Sequence, residues 1–224
     1  MCGAPAFGVG GETDITADGT TQTCSTLQGD LPQKTRGTRY DRASNTYFPM
    51  PAYGSNCDIE QYGNWGLSRD GQHVCGLSWY SFCAAQGFAW DNSTGSISLM
   101  DTKYAYKPTR ANGVSDDGSV VAGWNDDYNG WRQGACWKRG ANGVYVPQLI
   151  SIGPVTLKTR EAQCTSGDGQ FIYGMGRTDR PTGAPYRYGW TTGYQDIVPT
   201  PESGVGDRRS APDARPAAPA SMAG

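Results

Sequence analysis

Gly113-Val114-Ser115-Asp116-Asp117-Gly118-Ser119-Val120-Val121-Ala122-Gly123-Trp124 is the stretch whose reading decides the fold. Asp117-Gly118 ends a tight reversal: glycine takes positive φ without a Cβ clash, and the carboxylate accepts backbone N–H groups in an Asx-turn. Ser115, two places before the aspartate, can bond across the same turn. The apolar run that follows reads as a buried strand. Gly123 marks where a neighbouring backbone or bulky ring comes close. A single copy of this stretch is merely turn chemistry.

The stretch recurs. Ile15-Thr16-Ala17-Asp18-Gly19, Leu67-Ser68-Arg69-Asp70-Gly71 and Thr165-Ser166-Gly167-Asp168-Gly169 repeat its first half, and the steps from Gly to Gly are 52, 47 and 51 residues. An aromatic landmark follows each glycine, Tyr40 after 21 residues and Trp90, Trp137 and Tyr188 after 19. A third landmark lies beyond it: Met50-Pro51, Leu99-Met100, Val146-Pro147 and Val198-Pro199. The apolar runs 73–77 and 171–175 match 120–124, the aromatic sits in a third strand, and turn signals such as Asp91-Asn92-Ser93-Thr94-Gly95 precede a short fourth strand. Each unit is thus a four-stranded antiparallel meander, a to d, of about 50 residues. The units fall at about 12–51, 63–101, 110–150 and 161–200 within one repeat domain, 1–210. A solitary meander cannot bury its two apolar faces, and repetition around an axis does so by stacking sheets, as in a β-propeller. The rungs of a linear β-solenoid are shorter, and immunoglobulin-like sandwiches would repeat at about 100 residues. The fold expected is all-β, a propeller-like array that is either a four-unit ring or an incomplete one.

The pattern 113–124, followed by Ala135-Cys136-Trp137, resembles the bacterial extracellular HAF repeat family, with Thr38-Arg39-Tyr40, Phe88-Ala89-Trp90 and Tyr186-Arg187-Tyr188 in the second slot. The resemblance covers about residues 12–200 and implies a secreted or surface propeller-like protein. It departs from the family in its cysteines and in Thr20-Thr21-Gln22-Thr23, where the apolar run is missing and an edge or diverged unit is expected. The Asp-Gly turns also look like sialidase Asp-boxes, but the glycine is one place early and no arginine triad with a Tyr/Glu pair stands out.

Composition agrees with a β-fold. Leu, Ile, Val and Phe number only 29 of 224 residues, so the 13 Tyr and 7 Trp must supply much of the core. The low net charge of −2 and the aromatic content argue against disorder. The balance of 19 Lys and Arg against 21 Asp and Glu leaves no electrostatic footprint for nucleic acid. No apolar stretch approaches the length of a membrane-spanning helix. Met1-Cys2-Gly3 opens no signal-peptide core. Seven cysteines without metal spacing lean towards an oxidising compartment, so a fragment or a displaced start is expected. Cys75 and Cys83 are close enough for a local disulfide, and the equal alternative is that they are small buried hydrophobes. The Ala/Pro-rich stretch 211–224 reads as a disordered tail.

Chemistry is harder to place. His73 is the sole histidine and no C-x-x-C is present, so no metal or cofactor site is expected. The Asp126-Asp127-Tyr128-Asn129 cluster lacks the alternating spacing of a calcium loop. Asp18, Asp70, Asp117 and Asp168, with Gly19, Gly71, Gly118 and Gly169, read as structural turns, since chemistry rarely needs four copies of one acid. Glu60, Asp101 and Glu161 have no partner that spacing identifies. The b–c loops differ most between units, and propeller geometry gathers them at one mouth. Trp79, Tyr80, Asp126, Asp127, Tyr128, Trp131, Arg177 and Asp179 are therefore the candidate binding residues: aromatic faces to stack on, and planar polar groups for hydroxyls. The function expected is a non-enzymatic surface module for carbohydrate or another surface ligand. The alternative is a glycoside hydrolase or lyase on the same scaffold.

Overall fold

A computed structural model describes residues 13–28, 31–51, 62–79, 84–151, 159–177 and 185–197. None of these residues is helical. They form four consecutive antiparallel sheets. The first comprises β1 (Thr21–Gln28), β2 (Leu31–Asp41) and β3 (Thr46–Pro49). The second comprises β4 (Tyr62–Leu67), β5 (His73–Trp79), β6 (Ala85–Asp91) and β7 (Ser96–Leu99). The third comprises β8 (Thr109–Val114), β9 (Val120–Asp126), β10 (Arg132–Arg139) and β11 (Tyr145–Leu149), and the fourth β12 (Thr159–Thr165), β13 (Phe171–Arg177), β14 (Pro185–Gly189) and β15 (Gly193–Asp196). Each is a simple meander, and together they make an open, propeller-like all-β array.

Local chemistry produces the repeat. In every unit the Thr or Ser hydroxyl donates to the turn aspartate at 2.6–2.7 Å, and the N–H two residues after the aspartate donates to the same Oδ1 at 2.9–3.0 Å. The glycines hold φ of +67° to +73°, a region closed to residues with a Cβ except at a cost. These hydrogen bonds depress all four carboxyl pKa values. At Asp18 the Thr20 N–H leads, and at Asp168 the Ser166 hydroxyl does. At Asp70 and Asp117 burial is the largest single influence and pushes upward, but the turn's donors outweigh it.

Sheets stack in sequence: β1 and β2 on β4, β5 and β6 on β8, β9 and β10 on β12. The first strands also touch in succession, β4 on β8 and β8 on β12, so they lie towards the axis. At one end of that axis residues from all four units, among them Ile15, Leu67, Val114 and Thr165, enclose a cavity of about 350 Å³. Three apolar layers lie between sheets. The first holds Met50, Tyr62, Val74 and Phe88; the second Cys75, Met100, Val114 and Trp137; the third Ala122, Ile150, Ile172 and Tyr186. Buried polar groups also stitch neighbours, as where Asn64 Nδ2 donates to the Cys24 and Thr38 carbonyls.

One expectation needs correction, and two are narrowed. The first sheet shows three described strands rather than four, with Ile15 joined to Gln22 only by an isolated bridge. The run 20–23 nonetheless enters a strand, because Thr21 and Thr23 are buried there as hydroxyl-bearing substitutes for the missing apolar pair. The third landmark of unit three is Ile150, not Val146-Pro147. The N–H groups of Met50, Met100 and Ile150 bond the Gly37, Gly87 and Gly134 carbonyls, whereas Val146 is exposed in mid-strand. Cys75 is a free, fully buried thiol whose pKa burial drives far up, so it forms no bridge with Cys83. Cys136 and Cys164 are free as well.

Candidate functional site

The turns that join the first and second strands of each unit open at one end of the sheets. β5, β9 and β13 end, and β4, β8 and β12 begin, at the other, where the described loops 127–131 and 100–108 lie. These two loops meet in unit three, where the Asp126 N–H donates to the Pro108 carbonyl and the Lys103 N–H donates to Asn125 Oδ1.

Each axial strand carries a β-bulge, at Trp65 in β4, Asn112 in β8 and Gln163 in β12. A bulge re-aims the side chains around it, and here the neighbours include Arg110 and Glu161. Glu161 gathers Arg110 at 3.2 Å and Arg132 at 2.5 Å, and accepts from Gln163 Nε2 at 2.9 Å. Arg110 Nε donates to Asn112 Oδ1, and Asn112 Nδ2 reaches the Ala162 carbonyl, so sheets three and four are coupled through one polar network. The guanidinium of Arg132 lies 4.2 Å from the centre of Trp124, and that of Arg110 lies 5.1 Å from Trp65 and 5.5 Å from Trp124. Such cation–π contacts hold both arginines over the indoles. Trp124 Nε1 is buried and unpartnered among the described residues.

Beside this network lies a cavity of about 550 Å³, lined by Trp131, Arg132, Arg160, Glu161, Gln163, Met175 and Gly176. Trp131 is 74% exposed at its rim. The loop that presents it is built by Asp127, which is buried. One of its carboxylate oxygens accepts the N–H groups of Asn129 and Trp131, each at 2.9 Å, and Gly130 follows at φ +82°. Asp127 therefore shapes the loop, while Tyr128 (77% exposed) and Trp131 project from it. Tyr106, 86% exposed on the adjoining loop, is held at φ +62°. A bulky residue in that region is strained, and such strain clusters at binding sites. Burial raises the pKa of Asp126 against the opposing pull of Arg132 and Lys107.

Of the candidates read from the sequence, Asp126, Asp127, Tyr128 and Trp131 share this one loop, and Trp131 reaches the cavity. Trp79 is 37% exposed at the end of β5. Arg177 ends β13, paired with Thr159. Tyr80 and Asp179 lie outside the described residues. Arg132, Arg160, Glu161, Gln163 and Tyr106 were missed as site residues. A signal existed for one of them: aligning the units places Glu161 at the axial-strand position that Arg110 holds in unit three, with the opposite charge. Among the described residues no cluster of His, Cys, Asp or Glu has the makings of a metal site, and no helix is long and apolar enough to cross a membrane.

No protein-family model matches the sequence, and neither does any curated protein. Solved structures do resemble the fold. A putative TolB from Agrobacterium tumefaciens superposes with a TM-score of 0.57 at 14% identity, over 85% of this chain and 62% of that one. TolB from Acinetobacter baumannii gives 0.53 at 15% identity, over 85% of this chain and 44% of that one. The chain thus spans less than two thirds of the length of either. At such identity the likeness concerns architecture alone: this chain has the fold of a β-propeller.

Proposed function

We propose that the chain is a HAF-type repeat propeller acting outside the cell or at its surface as a non-catalytic module that binds carbohydrate at the mouth between its third and fourth sheets. One observation carries the reading. Trp131 stands exposed at the rim of a cavity walled by arginine, glutamate and glutamine, and Tyr128 on its own loop and Tyr106 on the loop bonded to it are exposed as well. Exposed rings next to planar polar groups suit a sugar, whose apolar face stacks while its hydroxyls find donors and acceptors. Trp131 supplies the stacking surface, and Arg132, Arg160, Glu161 and Gln163 supply the polar contacts.

The test is a glycan array followed by calorimetry on the best oligosaccharide. Trp131→Ala is expected to weaken binding by about tenfold or more, roughly 1.4 kcal/mol, and to leave the melting temperature in place. Failure to bind any glycan on the array would overturn the reading. The alternative, a glycoside hydrolase or lyase, draws on the raised Asp126 carboxyl, since a general acid needs such a shift. Release of reducing ends that is lost in Asp126→Asn would favour it. Against it, both oxygens of Glu161 are already committed to arginines.

A further inference from the structure

The geometry points to head-to-tail self-association, in which the outer face of the fourth sheet seats a second copy of this chain by that copy's first sheet. The argument is one of continuity with the three internal interfaces, which all use the same positions.

The residue that follows each fourth strand is the first such position. Met50, Met100 and Ile150 plug the space before the next sheet and are 1%, 0% and 0% exposed. Ile197 occupies the same place, its N–H bonded to the Pro185 carbonyl as theirs are to Gly37, Gly87 and Gly134. Yet it is 43% exposed.

The first sheet shows the complementary gap. Val114, at the end of β8, is 7% exposed and packs in the layer that contains Met100. Ile15 holds the equivalent place before its own turn and is 55% exposed. A built Cβ on Gly71, Gly118 or Gly169 meets Thr21, His73 or Val120 of the preceding sheet within 2.9 Å. On Gly19 it meets nothing nearer than Ile15 of its own unit, at 4.0 Å. Around Gly19 lies a cavity of about 310 Å³ lined by Ile15, Thr20, Gln22, Tyr40 and Arg42. The fourth sheet's counterpart of Thr21, His73 and Val120 is Phe171, held in place by Arg187 at 4.8 Å. One chain therefore carries a knob at one end and its socket at the other. A contact between different surfaces of two copies is heterologous, giving closed rings or open chains of subunits.

Sedimentation across the micromolar range, with the intact chain, tests this. The expected result is a mass that climbs with concentration to at least twice that of the monomer. Ile197→Arg blocks the knob and Ile15→Arg the socket. Both side chains are exposed, so circular dichroism should show the native spectrum. Each variant alone is expected to sediment as a monomer, and an equal mixture to give a one-to-one dimer through the single intact knob and socket. A wild-type chain that stays monomeric throughout, whether its own residues or nothing covers the face, overturns the proposal. So does an Ile15→Arg variant that still self-associates, because the contact would then pair two knobs. Glycan binding plays no part in either readout, so this inference and the functional reading fail separately.

Discussion

The two ends of the same four sheets follow opposite rules. At one end Asp18, Asp70, Asp117 and Asp168 repeat one hydrogen-bonded turn to within a tenth of an ångström or so. At the other end the connecting segments differ in sequence from unit to unit, and the exposed aromatics of unit three sit there. Repetition at the first end sets the spacing of the sheets. Freedom at the second is available for binding, because a rigid scaffold tolerates change where loops leave it.

The comparison is tested first where the scaffold is deepest. Trp137 is fully buried between sheets two and three, and its Nε1 donates to the Asp101 carbonyl at 2.8 Å. Trp137→Ala should cost about 3–5 kcal/mol, the loss usual for deleting a large buried aromatic. Its counterpart Tyr40 is only half-buried and stacked on Tyr47, so Tyr40→Ala should cost clearly less. Denaturant titration of both measures the gap. Equal losses would mean that the first sheet is as enclosed as the third.

A second pair separates backbone strain from packing. Gly19→Ala and Gly118→Ala both force alanine into the left-handed region, about 1–2 kcal/mol each. The new methyl on residue 118 would also sit 2.6 Å from the His73 ring, whereas residue 19 has open space. Gly118→Ala is therefore expected to melt at the lower temperature. Should the two melt alike, turn contacts between sheets two and three contribute nothing.

What was legible in the sequence follows the range of the forces involved. The Asp-Gly turns are settled by residues two to five apart, so Asp117 announces its role wherever it stands. The aromatic landmarks were legible because the strands between them keep constant length. Ile150 was not, since it lies thirteen residues beyond Trp137, against ten for Trp90 and Met100. A longer hairpin in unit three shifts the plug out of step with any fixed count. The Arg110–Glu161 pair was legible only in part, since aligning the units marks the two positions but not that they meet. Its members are 51 residues apart, and they meet through bulges that leave no local mark. Asp127 looked like a ligand group for want of any sign that it would accept its own loop's N–H groups.

Acid provides a milder probe of the repeated end. Each turn aspartate has a folded pKa below the ordinary 3.8. A depressed carboxyl contributes stability that is complete above its unfolded value and is lost as pH falls through the folded one. Stability should thus hold down to about pH 5 and decline steadily below about pH 4. Asp117→Asn keeps the shape but removes the charge, and should flatten that decline by its share. An unchanged slope would show that the turn carboxylates do not report on folding.

The smallest stability effect belongs to the divergent end. Trp131 is largely exposed, and what fixes its loop is Asp127 accepting backbone N–H groups, which a change at the Trp131 side chain leaves in place. Trp131→Ala and Tyr128→Ala should each shift stability by no more than about 0.5 kcal/mol, as exposed substitutions do. Asp127→Ala should behave differently, because it removes a buried carboxylate and strips the acceptor from two part-buried N–H groups. About 1–3 kcal/mol is the usual loss when a buried donor goes unsatisfied. The three melts together decide whether this loop is a presented surface on a built base. If Trp131→Ala destabilised the chain as much as Asp127→Ala, the indole would belong to the scaffold. The contrast between the two ends of the sheets would then fail at the place where it matters most for binding.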